Sequence, residues 1–137
     1  MRKALISLLL LSFTFVSCSS ETLSTVVAPS VDTISADSLK QLLDSDPGVL
    51  FIDVRSNGEI ERDGTVEGFI HIPIGSLEQR YSEIPKDKKI VVACSRGVRA
   101  ARGAAILQNH GYENVLSTGL AEYKAKGYEL IYPKLAQ

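Results

Sequence analysis

From residue 32 onward, short apolar runs alternate with segments whose apolar residues recur at helical spacing. Ser35 is placed to cap a helix with Leu39, Leu42 and Leu43 on one face, and Pro47-Gly48 ends it. Val49-Leu50-Phe51-Ile52 is a continuous apolar run, as expected of a strand buried on both faces, and it stops at Asp53. The polar stretch from Ser56 to Gly68 predicts a short helix and a loop. Leu77, Tyr81 and Ile84 then recur at helical spacing and are closed off by Pro85. Lys89 to Ala93 predicts a second buried strand, with Cys94 immediately after it. The alanine-rich segment from Val98 to His110 predicts a helix presenting Val98, Ala101 and Ala105 on one face, with Gly111 as its C-terminal glycine. A strand at Asn114 to Leu116 and a helix from Leu120 to Lys126 complete the pattern. Strands alternating with helices imply an α/β domain, a central parallel β-sheet flanked by helices on both faces. We place it at residues 32–131, with 132–137 as a C-terminal tail.

The first residues follow a different rule. Arg2 and Lys3 precede an apolar run from Ala4 to Val16, the pattern of a secretory signal. The run is shorter than the roughly twenty residues a membrane-spanning helix needs. It ends at Phe15-Val16-Ser17-Cys18, which resembles a bacterial lipobox, although Phe15 stands where leucine is usual. The expectation is a lipoprotein signal peptide at 1–17, lipidation of Cys18, and a Ser- and Thr-rich tether over 18–31. An ordinary signal peptide, with Cys18 lost or left as a thiol, is the alternative. Both readings export the domain; the first anchors it by lipid in the cell envelope, in the periplasm or at the cell surface.

Without Arg2 and Lys3 the chain has thirteen basic and sixteen acidic side chains, a net of −3. That balance speaks against a nucleic-acid partner. His71 and His110 have no metal-ligand spacing around them, so neither metal nor cofactor is expected, and His71 is read as packing a loop. With Cys18 lipidated, Cys94 is the single free thiol of the mature chain, a liability in an oxidising compartment unless its chemistry is used.

Cys94-Ser95-Arg96-Gly97-Val98-Arg99 lies between a buried strand and a helix start, where open parallel sheets bind ligands. Helix N-termini present unpaired N–H groups to anions. Arg96 and Arg99 add positive charge, and Gly97 allows a tight turn whose amides converge as a nest. Each of these favours thiolate over thiol, and thiolate is the nucleophile. The competing reading of Cys94 is a small core hydrophobe, that of Arg99 a solvated helix residue, and Arg96 divides evenly between anion binding and plain solvation.

The loop resembles the active-site loop of rhodanese-like sulfurtransferases. Ile52-Asp53-Val54-Arg55 is similar to that family's Asp-Val-Arg motif, Glu59 stands where it often has glutamate, and the resemblance continues through Gly64 to Pro73, Gly111 to Val115 and Gly119 to Gly127. Departures are Thr65 for histidine, His71 for asparagine, Thr118 for glycine, Tyr123 for tryptophan and Ala100 for a hydroxyl residue. The resemblance implies a sulfurtransferase with Cys94 as nucleophile, taking sulfur from a small sulfur-containing anion such as thiosulfate and passing it to a thiol, cyanide or protein acceptor. Ser95, Arg96, Gly97, Val98 and Arg99 would bind the substrate, with Asp53 and Arg55 tying strand end to loop. A non-catalytic sulfur carrier or sensor is the alternative. A phosphatase or arsenate reductase of related fold ranks lower, since such loops usually place five residues between cysteine and arginine and this one places four.

Overall fold

The computed structural model describes residues 30–136. The signal segment, Cys18 and nearly all of the tether lie outside the described residues.

Five parallel strands form one sheet in the order β1-β5-β4-β2-β3. These are β1 (Asp32–Thr33), β2 (Leu50–Asp53), β3 (Ile70–His71), β4 (Ile90–Cys94) and β5 (Val115–Gly119). The helices are α1 (Ala36–Ser45), α2 (Asn57–Asp63), α3 (Ile74–Arg80), α4 (Val98–Asn109) and α5 (Leu120–Ala125), with a 3-10 turn at Tyr81–Glu83. The Ser35 hydroxyl caps α1 by accepting from the Ser38 amide at 3.2 Å.

Alternation along the central strands builds two cores. Ile52, Ile90 and Val92 point to one face, under Leu77 of α3 and Ala100, Ala104 and Leu107 of α4. Phe51, Val91 and Ala93 point to the other, against Ala36 and Leu39 of α1 and Leu120 and Tyr123 of α5. All five residues of β4 are buried, as the centre of a sheet covered on both sides requires.

Four details differ from the sequence reading. The buried face of α4 is Ala100, Gly103, Ala104 and Leu107, not Val98, Ala101 and Ala105; Val98 is 78% exposed. An alanine-rich helix shows small residues on several faces, so its period is ambiguous. The deciding residue is Gly103, where an added Cβ would lie 3.1 Å from Val92 and 3.2 Å from Leu77. Cys94 is the last residue of β4 rather than the first after it. The third buried strand runs on to Gly119, past two polar residues, Ser117 and Thr118, that are fully buried. The edge strands β1 and β3 have two residues each, too short for any alternation to register. At the chain's end, Thr65 and Ile131 exchange backbone hydrogen bonds at 2.8 Å, and residues beyond Ile131 follow α2, where the Leu135 amide donates to Glu61.

The topology decides where a site can form. From β2 the chain moves outward to β3, whereas from β4 it moves the opposite way to β5. The crevice between the carboxyl ends of β2 and β4 is therefore the switch point of the sheet, the place where such folds bind ligands. Asp53 ends one strand there and Cys94 the other.

Candidate active site

Cys94 is 2% exposed, and much of its side chain packs on the α3–α4 core. The residue nonetheless lines a cavity of about 350 Å³ together with Glu59, Ser95, Arg96, Val98 and Arg99. The Gly97 amide donates to Sγ at 3.1 Å. Gly97 has φ of 89°, the left-handed conformation that lets the chain double back over the sulfur before α4 begins. The amides of Ser95, Arg96, Val98 and Arg99 donate to no other described residue. The loop thus carries four N–H groups with spare donor capacity, besides the Gly97 amide on Sγ, at the start of a twelve-residue helix.

The loop's charges divide. The Arg99 guanidinium is bidentate on Glu59, with N–O distances of 2.8 and 2.5 Å. This pair holds the Glu59 carboxyl well below the usual carboxylate range and raises Arg99 further. Glu59 also accepts from the Ser95 hydroxyl at 3.3 Å and from the Ser56 amide at 3.2 Å. One carboxylate therefore fixes both ends of the loop to the first turn of α2. Arg96 is exposed and makes no ion pair among the described residues. It is the loop's free cation. Val98 stands outward at the rim.

The end of β5 and the start of α5 hold the loop by close approach. The Ser95 carbonyl accepts from the Ala121 amide at 2.8 Å. A Cβ at Gly119 would lie 3.0 Å from the Arg96 carbonyl carbon and 3.1 Å from the Gly97 nitrogen, both backbone atoms that cannot step aside cheaply.

At the end of β2, Asp53 and Arg55 form a buried pair, with side chains 0% and 2% exposed. Arg55 donates through Nε at 3.0 and 3.1 Å and through Nη2 at 2.7 Å to the Asp53 carboxylate, and through Nη2 to the Gly64 carbonyl at 2.7 Å. The Thr65 hydroxyl donates to Asp53 at 2.8 Å. His71 donates from Nε2 to the Arg55 carbonyl at 2.8 Å, so its ring fastens a loop. These residues lock the end of β2 to the segment entering β3.

Sequence reading gave Glu59 only a place in a resemblance and missed the close approach at Gly119. Ser56 followed three residues later by Glu59 is a capping-box signature, and the structure contains that box, so the anchor of Glu59 was readable. Its reach to Arg99, forty residues on, was not. Among the described residues no cluster of three or more His, Cys, Asp or Glu could hold a metal ion.

Comparisons with known proteins identify the fold and the family. Residues 35–126 match the family model for the rhodanese-like domain. The chain is 32% identical over 106 residues to a sulfurtransferase of Allochromatium vinosum, covering 76% of this chain and 98% of that one. It is 31% identical over 101 residues to YrkF of Bacillus subtilis, a candidate sulfur carrier protein by description, covering 72% of this chain and 54% of that one. A rhodanese-related protein of Thermoplasma volcanium superimposes with a TM-score of 0.67 at 26% identity, over 74% of this chain and 99% of that one. A parallel sheet with a cysteine cradle at its switch point, matched along most of its length by such proteins, belongs to the rhodanese-like domain family.

Proposed function

We propose that the protein transfers sulfane sulfur through a persulfide on Cys94, with a small anion such as thiosulfate as donor. The thiolate attacks the outer sulfur of the donor; a new S–S bond forms, the donor's own S–S bond breaks, and sulfite leaves with the electron pair. Cyanide or a thiolate then attacks the terminal sulfur, and Cys94 departs as thiolate. Splitting one transfer into two displacements is the gain of covalent catalysis.

The observation that carries this reading is the Gly97 amide 3.1 Å from Sγ, beside four further loop amides with no other partner. Those donors suit an extra, negatively charged sulfur on Cys94. Arg96, unpaired at the rim, draws the anionic donor in. Arg99 serves by holding the loop on Glu59. That pairing also weighs against oxyanion chemistry of the phosphatase kind, since the guanidinium a phosphate would need is already bound to a carboxylate. The sulfur-carrier reading draws support from YrkF and from the 2% exposure of Cys94. It keeps the persulfide and drops rapid turnover.

Intact-mass spectrometry after incubation with thiosulfate tests the proposal. A gain of about 32 Da on Cys94, lost on adding cyanide and absent in Cys94→Ser, is the expected result. An unchanged mass across several sulfur donors would overturn it. Slow cyanide-dependent turnover with a stable persulfide would favour the carrier. The lipobox-like Phe15-Val16-Ser17-Cys18 supports a further proposal, that the domain is held in the cell envelope by lipid on Cys18. A diacylglyceryl adduct on an N-terminal Cys18 peptide is its expected signature.

A further inference from the structure

A second cavity, of about 230 Å³, also borders Ser95 and lies against α5. Arg55, Asp63, Ser95, Leu120, Ala121 and Lys124 line it. Ser95 is the one residue it shares with the cavity at Cys94.

Arg55 makes this cavity more than a surface dent. Its side chain is 98% buried and bordered by Asp53, yet only Nε and Nη2 have partners; Nη1 has none among the described residues. Nη1 is not sealed in the interior either, since the described residues contain a single fully buried side-chain N or O atom without a partner, Oε1 of Gln108. A fixed guanidinium donor therefore faces an opening, and this is the opening Arg55 lines. Lys124 lines the same cavity, 45% exposed, and its Nζ reaches Asp63 at 3.4 Å. That contact is long, and Asp63 is held more closely by Arg62 at 2.8 Å. Lys124 can turn from Asp63 to a ligand without stranding a charge. Guanidinium and ammonium donors lining one cavity with two apolar residues suit a planar anion attached to a short carbon chain.

We propose that this cavity binds the carboxylate of a small organic acid, held between Arg55 Nη1 and Lys124 Nζ. Resting on the sulfur-transfer reading, a thiol-bearing acid seated there has its carboxylate beside Ser95, one residue from the persulfide, and is the acceptor class the site selects. Its thiolate attacks the terminal sulfur of the Cys94 persulfide, forms the new S–S bond, and releases Cys94 as thiolate. No further oxidant or reductant is needed.

The test separates binding from chemistry. Propionate, which cannot accept sulfur, is titrated into the full chain by NMR. Amide shifts at Ser95, Ala121 and Lys124 and a shift of the Arg55 Nε–H are expected, about tenfold weaker in affinity for Lys124→Gln, as loss of one charge-assisted hydrogen bond implies. Asp63→Asn, which removes the competing carboxylate, should tighten binding. In acceptor assays 3-mercaptopropionate should show a lower KM than 2-mercaptoethanol, and Lys124→Gln should erase that difference while leaving transfer to cyanide unchanged. Propionate shifts confined to Arg96, Val98 and Arg99, or an unaltered affinity in Lys124→Gln, would overturn the site. Intact propionate binding with no persulfide under any donor would sink the sulfur-transfer reading alone.

Discussion

The ends of β2 and β4 sit side by side, and each pairs an arginine with a carboxylate, but the two pairs do different work. Asp53 and Arg55 are two residues apart and almost wholly buried, with side chains 0% and 2% exposed. Glu59 and Arg99 are forty residues apart, and Arg99 keeps 39% of its side chain exposed. The first pair sits in low dielectric, where removing one partner strands a charge. The second is partly screened by water, and its value lies in where it holds the loop. One strand end is a lock; the other is a support for a cradle.

Breaking the lock should have the largest effect. Asp53→Ala leaves the Arg55 guanidinium buried without its counter-charge, and a loss of roughly 3–5 kcal/mol of stability is expected by denaturant titration. A small change there would mean that water or a side-chain shift replaces the carboxylate, and the contrast with the loop would fade. Next comes Gly119→Ala. The added Cβ meets Arg96 and Gly97 backbone at about 3.0 Å, so the loop must move. Persulfide formation should fall by about tenfold or more, as misplacing a reactive group implies, with a stability change of only about 1 kcal/mol. Equal damage to both would show that the loop is part of the stability core rather than carried on it.

Glu59→Gln should sharpen the comparison further. The charge pair is lost while shape is kept, so stability should fall by under about 1 kcal/mol because the pair is partly exposed. Persulfide formation should slow, and the loop amides should exchange faster with deuterium. The pH dependence follows in sign. Arg99 lowers the folded-state pKa of Glu59, so the pair's contribution is complete above the unfolded carboxylate value of about 4.3 and erodes as pH falls below it. Glu59→Gln should lose that part of the acid sensitivity. The smallest effect, on both denaturant stability and persulfide formation, is expected for Val98→Ala, since Val98 stands at the rim with 78% of its surface exposed.

Much of this was legible in the sequence because it is local. Continuous apolar runs marked β2 and β4, Ser35 marked the start of α1, and a cysteine followed by Gly97 and two arginines marked the cradle. What stayed hidden depends on separation along the chain. Arg99 could not be told from a free anion-binding cation until α2 brought Glu59 to it. Gly119 reads as an ordinary strand-to-helix glycine, and only the packing of β5 against the loop gives it its purpose. The face of α4 was misread because alanine carries too little pattern to show which side meets the sheet.

A crystal structure of the protein soaked in thiosulfate puts the central idea to its hardest test. Density for one added atom on Cys94 Sγ, about 2.05 Å away and within hydrogen-bonding reach of the amides of residues 95–99, is the predicted result. A bare Cys94 at full donor occupancy, or an added sulfur turned away from those amides, would contradict it.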